Sequence, residues 1–123
     1  MTPPIRTQEV SDYIKGLEQK NRELTSKNDE LQRLYADHAE AERSYNIAYA
    51  GEITKLRING EPITISKDLA RGNKAIADLF YRMRIAEGVL NSCRERIKDL
   101  RSSIDTYRSL LSFLKAEYEV SRG

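Results

Sequence analysis

The most regular pattern in the chain lies in its C-terminal half. Ile76, Leu79, Met83, Ala86, Leu90, Cys93, Ile97, Leu100, Ile104, Tyr107, Leu111 and Leu114 alternate steps of three and four without a miss. Such steps return side chains to one side of an α-helix turn after turn. The pattern predicts one long helix over 74–120 that packs along its full length. Upstream, no proline occurs between Thr7 and Leu56, and the interior glycines are Gly16 and Gly51. Each glycine costs about 1 kcal/mol against alanine, which a long helix tolerates. A first helix is therefore expected up to residue 56. Thr7 or Ser11 can cap it, and Glu9 suits the positive end of its dipole. Pro3 and Pro4 keep the residues before it extended.

The first helix has two sections. Ile14, Leu17, Leu24 and Leu31 follow three- and seven-residue steps, with Asn21 and Asn28 at the other seam position and Tyr35 after them. Leucine at one seam position and asparagine at the other resembles a parallel two-stranded coiled coil, in which buried asparagines fix register at a cost in stability. The zipper-like segment spans 10–35. From Leu34 to Leu56 the stripe widens through Ala41, Tyr45, Ala48, Tyr49 and Ile53, which calls for a broader partner surface.

RINGEPITIS, residues 57–66, breaks the pattern. Asn59-Gly60 supplies the positive φ that ends a helix or makes a tight turn. Pro62 excludes a central strand. Ile63-Thr64-Ile65 reads as a short strand or extended arm, Ser66 as the cap of a short turn to Arg71, and Gly72-Asn73 as a bend. The expected fold is all-α: a long two-helix antiparallel hairpin with a short loop or β-arm at the turn. The chain is then one helical domain over 1–123, with helix 1–56, connection 57–73 and helix 74–120. A two-helix hairpin leaves much apolar stripe bare, so self-association through coiled-coil-like stripes is expected.

Composition agrees with long, wet helices. Hydrophobic residues are 39% and charged residues 33%, with no tryptophan, against typical values of about 45–50% and 25%. The net charge of +2 is no nucleic-acid or membrane signature. One Cys and one His exclude an internal disulfide and a Cys/His zinc cluster within one chain. The opening MTPPIRTQEV has no apolar run of the secretory kind, and no 18-residue apolar stretch occurs. A cytosolic protein, neither secreted nor membrane-spanning, is the expectation. A basic-zipper DNA reader is disfavoured, because residues 1–13 hold one arginine, Arg6, and no lysine where a basic cluster is needed.

No P-loop, dinucleotide fingerprint or HExxH occurs. His38 reads as a surface or seam histidine and Cys93, on the core register, as a small buried hydrophobe. No nucleophile–base pair presents itself, so no enzyme, metal or cofactor is expected. The flank of the second helix is richer. Phe80 and Asn91 lie three turns apart and project alike. Tyr81 adjoins Phe80, and Arg84, Arg94, Lys98, Arg101 and Arg108 follow the same side. Arg57 and Arg71 bracket the connection. A ring to stack on a base, an amide to read its edge and guanidiniums to fork onto phosphate are what a nucleotide requires. The plainer reading is that flank arginines pair with glutamates or face water, and that an aromatic beside a seam widens the core.

Residues 45–118 carry a further pattern. Lys55, Leu56, Arg57, Gly60, Pro62 and Thr64 are followed by Leu69, Ala70 and Gly72, then by Ala86, Glu87, Cys93 and Ile97. This arrangement resembles the first type of Thoeris anti-defence protein, a nucleotide-signal sponge made by phages. The resemblance implies a helical oligomer of dimers assembled to a hexamer in the host bacterial cytoplasm. It implies binding, without hydrolysis, of a cyclic ADP-ribose isomer made by TIR proteins. Some members also bind cyclic di- or trinucleotides of the CBASS system at separate sites. By the same resemblance, Asn91 with Phe80 or Tyr81 would hold the ADP-ribose ligand, and Arg57 with Arg108 the cyclic oligonucleotide. The alternative is a structural coiled-coil scaffold or adaptor of a phage, which explains the heptads equally well and needs no ligand.

Overall fold

The computed structural model describes residues 7–122, and these form three helices and no strand: α1 (Thr7–Ile58), α2 (Ile63–Gly72) and α3 (Lys74–Arg122). Pro3, Pro4 and Arg6, the residues of the expected extended lead and sparse basic region, lie outside the described residues. No helix among the described residues is long and apolar enough to cross a membrane.

α1 begins with Glu9 in its first turn and ends with Lys55 and Arg57 in its last, so charges of the favourable sign sit at both ends of its dipole. Its C-terminus closes as expected from Asn59-Gly60. Gly60 has φ +93°, its N–H donates to the carbonyl of Arg57 at 3.0 Å, and the Glu61 N–H reaches back to Leu56 at 3.0 Å. Those two bonds with a left-handed glycine form a Schellman cap, which satisfies carbonyls that the last turn leaves free.

The expected β-arm is a helix instead. Pro62 occupies the N-cap of α2 with φ −59° and ψ 153°, a conformation its ring favours, and its missing N–H costs nothing there. Its carbonyl accepts the Ser66 N–H at 2.9 Å. Ser66 is therefore inside the helix, and its hydroxyl donates to the Glu61 carbonyl at 3.4 Å. The β-branched Ile63, Thr64 and Ile65 are overruled by tertiary packing. Ser66 and Ala70, one turn apart, are both 0% exposed, and their small side chains let α2 lie close against its neighbours. The connection between the long helices is thus a helix in its own right. Asn73 alone separates α2 from α3. Its side-chain carbonyl accepts the N–H groups of Ala75 at 3.0 Å and Ile76 at 3.3 Å, the usual action of an asparagine N-cap.

α3 follows its sequence pattern closely. Ile76, Leu90, Cys93, Ile97, Leu100 and Ile104 are buried, and the other six members of the three-four series are half-buried. The described residues divide into two compact units, one of 7–30 with 93–122 and one of Leu31–Ser92.

In the first unit the α1 and α3 segments run antiparallel. Tyr13 meets Tyr107 at a centroid distance of 6.1 Å, Glu23 meets Arg96, and the Cys93 thiol donates to the Lys27 carbonyl at 3.5 Å. Gly16 lies against the Tyr107 ring, where a Cβ would come within 2.7 Å of it. Cys93, Ile97, Leu100 and Ile104 make the core. The inward face of α1 is more polar than its leucines suggest. Leu17 and Leu24 are half-buried, as are Lys20, Glu23 and Lys27, whose methylene stems cover apolar surface. Ile14, Asn21, Asn28 and Tyr35, at seven-residue steps, are exposed. Within one chain the two asparagines are therefore not buried seam residues.

Glu23 and Arg96 form a two-pronged pair at 2.6 and 2.8 Å. The hydrogen bond from Arg96 holds the Glu23 carboxyl below the usual glutamate range, against the opposing effect of desolvation. The bond likewise raises the Arg96 guanidinium above its ordinary value. A depressed carboxyl adds stability at pH above its unfolded value, about 4.3, and that contribution is lost as pH falls through the lower folded value. Glu23→Gln is expected to be less stable than the parent at about pH 6, with the difference shrinking as pH falls below about 4.3. Urea midpoints of both proteins across that range test it, and a gap that does not change with pH excludes the carboxylate as its source.

Candidate functional site

The second unit, Leu31–Ser92, contains segments of all three helices. In α1 the widened stripe places Tyr45 and Tyr49 one turn apart, and their rings stack with centroids 5.6 Å apart and planes at 24°. Tyr45 then meets Phe80 of α3 at 5.3 Å and 58°. Both geometries lie in the range favoured by aromatic quadrupoles. Tyr45 thus touches both Tyr49 and Phe80, and the three rings form one cluster.

That corner opens onto a cavity of about 300 Å³ lined by Tyr45, Arg71, Ile76, Ala77 and Phe80. The lining comes from the middle of α1, the last turn of α2 and the first two turns of α3. Phe80 stays 45% exposed although it packs on Tyr45, so part of its ring surface is free. Arg71 is the cation in the lining. Its nearest carboxylate is Asp68, one turn back on α2, at 3.8 Å, and both side chains are mostly exposed. A pair this long and wet contributes little and exchanges readily. The adjoining N-terminus of α3 adds a positive partial charge. Apolar walls, a free aromatic surface and one guanidinium can hold a planar ring bearing an anionic group. The five lining residues include no carboxylate, thiol, imidazole or serine hydroxyl. Among the described residues no group of His, Cys, Asp and Glu is placed to hold a metal ion.

Phe80 is the residue read from sequence that lines the cavity. Tyr81 is 67% exposed and is not in the lining. Asn91 is exposed and three turns further along α3, about 16 Å at 1.5 Å per residue. Arg57 is exposed, and its guanidinium donates to the Glu61 carbonyl at 3.3 Å, bracing the cap of α1. Arg108 is exposed in the first unit. Arg84 of the flank pairs with Glu87 at 2.9 Å, as the plainer reading of flank arginines holds. His38 lies 4.0 Å from Glu42 on the same helix.

Tyr45, Ile76 and Ala77 were not among the sequence candidates, and Arg71 was noted only as bracketing the connection. The available signal was the Tyr45/Tyr49 pair inside the widened stripe, since two aromatics one turn apart can back a third ring. Arg71 becomes a lining residue because α2 is helical. No family model, curated protein or solved structure matches this chain.

Proposed function

We propose that this protein is a sponge. It binds and sequesters a cyclic ADP-ribose-type immune signal without degrading it, and so blocks activation of a Thoeris effector. The observation that carries the reading is the corner of Phe80 and Tyr45 with Arg71 beside it. A base stacks on the open face of Phe80 and a phosphate oxygen pair meets the guanidinium. Apart from the Tyr45 phenol the lining holds no side chain of the acid–base or nucleophilic kinds, and no carboxylate or imidazole stands beside that phenol in the lining to activate it, which favours holding over turnover. The resemblance of residues 45–118 to the first type of Thoeris anti-defence protein supports the same ligand class.

In this reading Asn91, on the same helix as Phe80, reads an edge of the larger ligand. Arg57 and Arg108 serve a separate site for cyclic di- or trinucleotides. Sequestration requires competition with a host receptor, hence nanomolar affinity, about −12 kcal/mol. Enclosure between copies of the chain helps to reach it. The exposed line Ile14, Asn21, Asn28 and Tyr35 has the spacing of a parallel seam, and we assign homo-oligomer formation, dimers assembled to a hexamer, to it and to the other exposed apolar positions.

The test combines sedimentation with calorimetry on one preparation. The expected result is an oligomer at micromolar concentration that binds the cyclic ADP-ribose isomer and returns it chemically unchanged after denaturation. Asn91→Ala should weaken binding about tenfold to a hundredfold, the loss expected of an amide's buried hydrogen bonds, with no loss of thermal stability because Asn91 is exposed. No heat at micromolar ligand sinks the sponge reading, and altered ligand makes the protein an enzyme. An oligomer with no ligand would favour the scaffold or adaptor alternative.

A further inference from the structure

We propose that the Tyr45–Arg71–Phe80 cavity is built for a single nucleotide unit, so that a free nucleoside monophosphate is itself a ligand and ring closure goes unread. The inference rests on the nucleotide reading given above and narrows it to one base, one sugar and one phosphate. Three observations carry it.

The first is size. About 300 Å³ is the lower end of the roughly 300–1,000 Å³ that small-molecule sites span. That space suits one nucleoside with its phosphate, and the second half of a cyclic dinucleotide must remain outside.

The second is the angle between the rings. Tyr45 and Phe80 are already in contact at 5.3 Å and 58°, so no slot exists between them to sandwich a base. One base can lie flat on the free part of Phe80 with its edge toward Tyr45. The cavity lining offers no third aromatic for a second base.

The third is charge. Arg71 is the one cation in the lining, and its contact with Asp68 at 3.8 Å leaves the guanidinium able to turn to an incoming phosphate. Asn73 alone separates Arg71 and Gly72 of α2 from the first turn of α3, and its side chain is bonded to Ala75 and Ile76. The backbone of Arg71 is therefore held close to the apolar wall of Ile76 and Ala77, while its guanidinium can swing to the ligand. A lining with a single guanidinium recognises one phosphate.

The experiment titrates the full chain with adenosine monophosphate, adenosine and the cyclic ADP-ribose isomer. Adenosine monophosphate is expected to bind, and adenosine about tenfold more weakly. Arg71→Ala, a change at an exposed side chain, should erase that tenfold difference and leave adenosine unaffected. Phe80→Ala should weaken both ligands alike, about tenfold to a hundredfold. If the cyclic isomer binds in a Phe80-dependent way and adenosine monophosphate does not, ring closure is read. The inference then falls while the nucleotide site stands. If no ligand binds, the function reading falls with it. If adenosine monophosphate keeps its advantage in Arg71→Ala, its phosphate sits elsewhere and the inference is overturned.

Discussion

Leu100→Ala is expected to lower stability by about 2–5 kcal/mol, the largest effect of any single truncation in the first unit. Leu100 is 0% exposed at the centre of a run in which Cys93, Ile97 and Ile104 are also buried. Truncation removes the transfer free energy of three carbons and adds the cost of a cavity, because neighbours on two rigid helices collapse only in part. In a chain of this length a loss of that size moves the melting temperature by roughly 10 °C or more. Phe113, 65% exposed on the same helix, supplies the control, and Phe113→Ala should stay within about 1 kcal/mol. Thermal and urea unfolding of the two variants settle the matter. Equal losses would mean that Phe113 is covered in solution or that Leu100 is not central.

Gly16→Ala and Gly88→Ala should shift stability in opposite directions, although they are the same change inside a long helix. At an open helical site alanine gains about 1 kcal/mol over glycine. Gly88 is such a site, since a Cβ there meets nothing within 4 Å. At Gly16 a Cβ would lie 2.7 Å from Tyr107 ring atoms, and Tyr107 is itself against Tyr13. Displacing that ring pair costs about 1–3 kcal/mol, as overpacking usually does, which cancels the helix gain and exceeds it. The two variants should differ by about 2 kcal/mol, read as urea midpoints at one protein concentration. Equal gains would show that Tyr107 swings aside freely and that the close approach at Gly16 is incidental.

The long-range pattern was legible where one physical effect dominates. In α3 an unbroken apolar series left the hydrophobic effect unopposed, and all twelve of its positions are buried or half-buried. The cap at Gly60 was legible because few sequences satisfy a left-handed turn. α2 was hidden for a different reason. Its contact face is Ser66 and Ala70, small residues that no hydrophobic pattern marks, while its local propensity points to a strand. In α1 the leucines were placed correctly, but the inward face also takes in Lys20, Glu23 and Lys27. Glu23 sits there with a partner, Arg96, that lies 73 residues further on. Of the site, Phe80 could be named from α3 alone. Arg71 could not be joined to it, because its place in the lining depends on α2 folding as a helix.

The two units also differ in how far apart in the chain their partners lie, and this bears on synthesis. The first unit is closed by bonds between residues 66 and 73 positions apart, between the start of the chain and its last third. Closing so long a loop is entropically costly and slow compared with local pairing. During synthesis, residues 7–30 are made well before the α3 residues they pair with, Cys93 and Arg96 among them. Residues 31–92 can meanwhile assemble, with Tyr45, Arg71 and Phe80 already translated. The Tyr45–Arg71–Phe80 cavity is therefore expected to form before residues 7–30 have met α3. That segment, with Ile14, Asn21 and Asn28 exposed along it, then becomes the part of the nascent chain most open to a neighbouring copy on the same messenger.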